Sequence, residues 1–237
     1  MVGLGGGFIA VPVLLLFFGL PPAQASGTAL ALVVANSGAG AFTYFLQRRV
    51  HVQIGLLVAA GGFPGSIVGA LLSARISSQL FDWLFAAFLI GVSIDMIANR
   101  RRRIAKRPQG AQVISGMPWH RSLILGFAVG LISSLFGIGG GALLVPSLLY
   151  LSDLPAHMIS ATSHFGIVLT SPVGFATHWW QHDIKWTFVA PLVAGGILGG
   201  PIGARLSLRL KETRLMMYVA AALSIAALAL VVRHFVP

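Results

Sequence analysis

The chain is a succession of apolar runs, at about 5–19, 27–46, 52–72, 80–98, 121–136, 141–151, 160–180, 186–204 and 214–232, with short polar breaks between them. A helix needs about 20 mostly apolar residues to cross ~30 Å of hydrocarbon. Most of the runs reach that length, and they recur too often for a signal peptide ahead of a soluble domain. Of the 237 residues 57% are hydrophobic and 9% charged, against about 25% charged in soluble domains. So little charge does not clothe a globule in a solvated surface, and the outer face is expected to meet lipid. The absence of cysteine excludes disulfides, thiolate metal sites and thiol catalysis.

Sixteen Lys and Arg against five Asp and Glu give a net charge of +11. The positive charge is spread between the apolar runs, so no nucleic-acid partner is expected. Its densest patch, Arg100, Arg101, Arg102, Arg103, Lys106 and Arg107, directly follows a hydrophobic run. There it reads as a cytoplasmic anchor that fixes the orientation of the neighbouring helices.

The motif Gly3-Leu-Gly-Gly-Gly7 recurs as Gly137-Ile-Gly-Gly-Gly141, an offset of 134. The same offset pairs Val11-Pro12 with Val145-Pro146, Leu20-Pro21 with Leu154-Pro155, Ser26 and Thr28 with Ser160 and Thr162, and Gln47 with Gln181. It goes on to pair Gly61, Gly65, Gly69 and Arg75 with Gly195, Gly199, Gly203 and Arg209. A register held over this length marks a tandem duplication, the sequence sign of many secondary transporters. The units are expected at 1–99 and 121–237, joined by a basic cytoplasmic linker at 100–120. The second unit has an apolar segment, Ser122 to Phe136, ahead of its glycine motif, whereas the first begins two residues before its own. A start set too far downstream is the expected reason.

The short runs 121–136 and 141–151 meet at a glycine cluster and are expected to form a broken or re-entrant element. Backbone of this kind stands in a bilayer only where protein or a polar cavity covers it. With the linker inside, Arg48, Arg49 and His51 fall inside and Arg75 outside, while Arg205, Arg209, Lys211 and Arg214 fall inside and the His182-Asp183-Ile184-Lys185 loop outside. The rich loop has moved to the neighbouring position in the second copy, as opposite insertion of the copies requires. The expected fold is therefore all-α and polytopic: two inverted-topology repeats of about four to five membrane helices each, with broken helices at the glycine motifs.

Adjacent glycines interrupt a helix and leave N–H groups free where the next one starts, at the end whose dipole favours an anion. One such break from each copy, facing near the midplane, makes an electropositive cradle; the plainer reading is that glycine lets helices approach. Gly137, Gly139 and Ala142 also fit a dinucleotide-binding pattern, but no strand precedes them and no acidic residue follows at the expected distance. Gly61, Gly65, Gly69 and their partners Gly195, Gly199 and Gly203 form smooth faces for another backbone.

Hydroxyls follow each glycine motif, at Ser26 and Thr28 and at Ser160, Thr162 and Ser163, with Asn36 and Ser37 matching Thr170 and Ser171. They replace an anion's water shell or satisfy their own helix carbonyls, and Ser26 and Ser160 also suit helix caps. His164 lies near the middle of a membrane segment, as a donor to an anion, a proton carrier, or a ring bonded to a backbone carbonyl. The candidate substrate-binding residues are Gly5, Gly6, Thr28, Gly139, Gly140, Thr162, Ser163 and His164. His178 and His182 have metal-like spacing without a third ligand and, with Trp179 and Trp180, read as an interfacial belt. Asp82, Asp95, Asp153, Asp183 and Glu212 fall in loops or near helix ends, which disfavours a cation carrier. No metal, cofactor or enzymatic motif is expected.

Gly137-Ile-Gly-Gly-Gly-Ala-Leu-Leu-Val-Pro146, with Leu154-Pro155 and Ala161-Thr162-Ser163, echoed by Gly3 to Pro12 and Gly27-Thr28, resembles the sulfite exporter TauE/SafE family of probable membrane transporter proteins. The resemblance covers both copies. It implies a multi-pass bacterial inner-membrane protein moving small sulfur-containing or carboxylated anions such as sulfite or sulfonates. Members usually carry a helix before the first glycine motif, and here Gly27-Thr28-Ala29 stands where the second copy has Ala161-Thr162-Ser163. The leading expectation is a secondary transporter working by alternating access, with a membrane scaffold or assembly factor, or a passive anion channel, as the alternatives.

Overall fold

The computed structural model describes residues 6–46, 50–98, 117–152, 154–209 and 212–233, the side chains of 39–46, 156–157, 200–209 and 212–216 excepted. Among these residues there are nine α-helices and no strand. They are α1 (Gly7–Leu16), α2 (Pro22–Leu46), α3 (Val52–Ser73), α4 (Ser78–Ala98), α5 (Trp119–Phe136), α6 (Gly141–Leu151), α7 (Ala156–Trp180), α8 (Trp186–Arg209) and α9 (Glu212–Val232). The basic linker and Gly5 lie outside the described residues.

Helix boundaries follow the offset seen in the sequence. The pairs α2 with α7 and α4 with α9 begin and end 134 positions apart, and α3 with α8 and α1 with α6 begin 134 apart. The starts of α2 and α7 lie about one turn earlier than hydropathy places them. Pro22 takes the first helical position of α2, where its missing N–H costs nothing and its fixed φ suits the helix, and Pro155 is the N-cap of α7. Ser26 and Ser160 consequently sit inside their helices and cap neither; Ser26 is fully buried and its hydroxyl donates to the Leu135 carbonyl at 2.9 Å.

Among the described residues three helices, α3, α4 and α5, are long and apolar enough to cross a membrane. Ile9, Leu56, Ile94, Ile124, Ile225 and Leu228 stand exposed on the outside of the helix array, the surface expected of a chain solvated by lipid. In lipid, apolar side chains gain little by leaving the solvent, so close packing and hydrogen bonds hold helices together. The main contact of this kind joins α3 to α5: Gly61, Gly65 and Gly69 rest on the backbone at Leu123, Phe127 and Leu131, while Gly126 and Gly130 rest on Val58 and Gly62. The matched spacing runs the two helices parallel. The second glycine face is different, because nothing lies within 4 Å of a Cβ built on Gly195 or Gly199.

Phe136, the last residue of α5, is held by an aromatic cluster. Its ring lies 5.3 Å from Phe81, 5.1 Å from Phe85 and 5.5 Å from Phe88, and Phe8 of α1 stacks on Phe88 at 6.1 Å. Each aromatic pair adds about 0.5–1.5 kcal/mol beyond its buried area. The end of α5 is thereby fixed against α1 and α4 immediately before the chain turns.

Candidate functional site

The turn between α5 and α6 is built from glycine conformations. Gly137, Gly139 and Gly140 have φ of 68°, 80° and 63°, in the left-handed region that L side chains resist. The N–H groups of Gly137 and Ile138 both return to the Ser133 carbonyl and close α5. Gly140 then caps α6, and the Gly141 N–H bonds the Gly139 carbonyl at 2.7 Å. Space is as restrictive as the backbone: a Cβ on Gly139 would strike Val33, one on Gly140 would lie 2.9 Å from Val129 Cγ1, and one on Gly137 would strike the Ser26 backbone. Gly7, at the start of α1, packs on Gly137 and Ile138. The two glycine motifs therefore meet backbone to backbone.

The matching start of α1 is more open. Gly6 caps α1 with φ 72° and is exposed, as is Asn36 in the middle of α2. The Asn36 amide nitrogen lies 3.8 Å from the position a Gly6 Cβ would take. The first turn of α1 carries no acidic side chain; the N–H groups of Ile9 and Ala10 bond the Gly6 carbonyl, and those at the very start of a helix have no acceptor within it. An amide beside a helix start supplies donors and a positive dipole end together, the chemistry of an anion contact.

Thr28 and Thr162 are both buried and both engaged. Thr28 Oγ1 accepts the Lys185 N–H at 3.0 Å, and Thr162 Oγ1 accepts the His51 N–H at 3.0 Å. His51 and Lys185 stand just ahead of α3 and α8, again 134 positions apart. Thr28 lies near the start of α2 and contacts the segment after the end of α7, while Thr162 near the start of α7 contacts the segment after the end of α2. The two long helices therefore run antiparallel. Gly27 packs on His178, and the sixteen residues from there back to Thr162 amount to about 24 Å of helix. The glycine turns thus come together, while Thr28 and Thr162 stand at opposite ends of the helix pair.

Ser163 is fully buried and its hydroxyl has no hydrogen-bond partner. His164 is half-buried, its Nδ1 2.9 Å from the Ser160 carbonyl. Thr170, the counterpart of Asn36, turns its hydroxyl to its own helix at the Gly166 carbonyl, 3.0 Å away. A cleft of about 340 Å³ lies between α4 and α6, lined by Phe88, Asp95, Pro146, Ser147 and Tyr150 among others. Nothing in the sequence marks it, since its polar end is a contact between two distant residues, Tyr150 Oη and Asp95 Oδ1 at 3.3 Å. Among the described residues no three His, Asp or Glu side chains converge as a metal site would require.

A family model described as sulfite exporter TauE/SafE matches residues 1–230. The chain is 32% identical over 235 residues to the probable membrane transporter protein YunE of Bacillus subtilis, covering 92% of this chain and 86% of the relative. It is 29% identical over 221 residues to a probable membrane transporter protein of Xylella fastidiosa (90% and 81%). It is also 28% identical over 185 residues to the probable membrane transporter protein MJ0441 of Methanocaldococcus jannaschii (75% and 66%). No solved structure matches the chain. Glycine-turn motifs, apolar helices and a family match over almost the full length agree, and the chain belongs to the sulfite exporter TauE/SafE family of membrane transporters.

Proposed function

We propose that the protein is a secondary transporter for a small sulfur-containing or organic anion of the sulfite or sulfonate type, working in the bacterial inner membrane by alternating access between two inverted halves, 1–99 and 121–237. The observation that carries this reading is the reciprocal pair of bonds, Lys185 to Thr28 and His51 to Thr162. A two-fold axis makes residue i of one unit meet residue j of the other and the reverse. Since α2 and α7 are antiparallel, that axis runs across the helices. For helices that span a bilayer it lies in the membrane plane, the relation found in inverted-repeat transporters.

The anion is assigned to the glycine turns, Gly139 and Gly140 at α6 and Gly6 at α1 with Gly5 before it in the sequence, and to the Asn36 amide near Gly6; the Ser163 hydroxyl and His164, which follow Thr162 towards the start of α7, are the further candidate donors. Helix starts and neutral donors replace an anion's hydration without a fixed counter-charge, which lets it leave again. Thr28 and Thr162 serve the seam between the halves. The family description and the names of the relatives support transport and leave the choice of anion to experiment. In proteoliposomes, sulfite, sulfoacetate, thiosulfate and simple carboxylates are tested by counterflow. Substrate on the far side accelerates labelled uptake by a carrier; a channel shows flux without acceleration, and a scaffold shows none.

A further inference from the structure

At the turn between α7 and α8 a buried histidine and a partly exposed aspartate face each other one proton short. His178, in the last turn of α7, is fully buried, and its Nε2 lies 3.1 Å from the Ser134 carbonyl oxygen. A carbonyl only accepts, so the hydrogen sits on Nε2. The other ring nitrogen, Nδ1, lies 3.7 Å from Asp183 Oδ2, and neither atom has a hydrogen-bond partner. With a neutral imidazole and an ionised carboxylate, two sets of lone pairs face each other away from water, which is costly. A single proton between them makes a charge-assisted bond instead. We propose that His178 and Asp183 form a proton-binding site that couples proton movement to transport, an inference that rests on the transporter reading above.

The surroundings place this pair where the halves meet. A Cβ on Gly27 of α2 would lie 2.9 Å from His178 Cβ and 2.6 Å from the Asp183 carbonyl. Ser134 is three residues ahead of the glycine turn that ends α5. Protonation thus tightens or releases a node shared by α2, α5 and the α7–α8 turn. The other titratable groups around it are His182 and Lys185 in the same turn and Arg75 beyond α3, whose Ala70 carbonyl accepts from the Gln181 side chain. Residues 22–38 of α2 carry no titratable group, and α5 carries His120 and Arg121 at its far end. At the matching positions of the first copy stand Tyr44 and Arg49, so the duplication does not repeat the site.

Two measurements test it. Histidine-labelled protein is titrated by NMR, with His178→Gln identifying the signal. The His178 signal is expected to report a second proton on the ring in the wild type and to respond to pH differently in Asp183→Asn. A ring that shows no second proton, or that responds identically in Asp183→Asn, overturns the site. Transport is then followed with sulfoacetate, since sulfite itself takes up a proton near neutrality, and the readout is protons moved per sulfoacetate. About one is expected in the wild type and near zero in His178→Gln and Asp183→Asn; a merely damaged carrier moves less of both and keeps the ratio. An unchanged ratio in both variants overturns the coupling. No wild-type counterflow with any of the anions overturns the transport reading and the coupling with it, while the titration still decides whether the pair binds a proton.

Discussion

The Thr162 hydroxyl accepts the His51 backbone N–H at 3.0 Å, and the His51 ring in turn accepts the Ile54 N–H through Nδ1 at 3.3 Å. One residue therefore closes the start of α3 and ties it to the opposite copy. Thr28 makes the equivalent tie to Lys185 at the other end of the helix pair. A joint pinned at both ends by one hydroxyl each holds the halves in register without fusing them.

Thr162→Val keeps the shape of the side chain and removes the acceptor, which leaves the His51 N–H without its bond. The expected cost is about 1–3 kcal/mol, read as a lower melting temperature of the purified protein, with Thr162→Ser close to wild type. Thr28→Val should behave likewise, and the double variant should lose about the sum, because sites this far apart act independently. Melting of Thr162→Val at the wild-type temperature would remove the tie from the account of stability.

The two glycine faces should answer differently to the same change. Gly65→Leu puts a side chain into the backbone of α5 at Phe127 and should strongly reduce the yield of folded protein. Gly199→Leu, where nothing lies within 4 Å of the added atom, should leave yield and melting near wild type. Equal loss in both variants would show that the α8 face is covered by something in the membrane.

The all-helical architecture was legible because it rests on features sequence carries directly. Runs near 20 residues mark the helices, and the glycine motif with its fixed offset marks the duplication before any contact is known. Helix starts were less legible: Ser26 and Ser160 look like caps until Pro22 and Pro155 set the helices one turn earlier. The site was readable as residue types only. Which hydroxyls share a place depends on the relative direction of α2 and α7, so Thr28 and Thr162 look equivalent in the sequence and stand far apart in the fold. His178 looked like half of an i, i+4 pair with His182; its partner is Asp183, reached around the end of the helix. A signal was present in the five-residue separation across a helix end, but the burial that gives it meaning comes from Gly27 on another helix.

Topology can be tested without knowing the substrate, because the chain has no cysteine and single-cysteine variants need no background changes. Ser77→Cys and Gln181→Cys are expected to label from outside with an impermeant reagent in intact cells. Gln47→Cys and Leu208→Cys are expected to label only after permeabilisation. Labelling of Leu208→Cys in intact cells, with Gln47→Cys protected, would make the copies parallel and end the inverted arrangement.

Ser163→Ala separates ligand binding from packing more cleanly than any glycine change. Gly140→Val combines a φ of +63° with a contact on Val129, so its loss of binding is inseparable from damage to the turn. The Ser163 hydroxyl is buried with no partner in the protein, and leaving such a group unsatisfied costs about 1–3 kcal/mol. Removing it should therefore leave the melting temperature unchanged or raise it. If the hydroxyl donates to the anion, the same change loses a bond to a charged ligand, about 1.5–3 kcal/mol, which is about ten-fold to more than a hundred-fold in affinity. The expected result is a protein at least as stable as wild type that binds its anion at least ten-fold more weakly, measured directly on the purified variant. Undiminished affinity would take Ser163 out of the site and make His164, one residue further along α7, the next position to change.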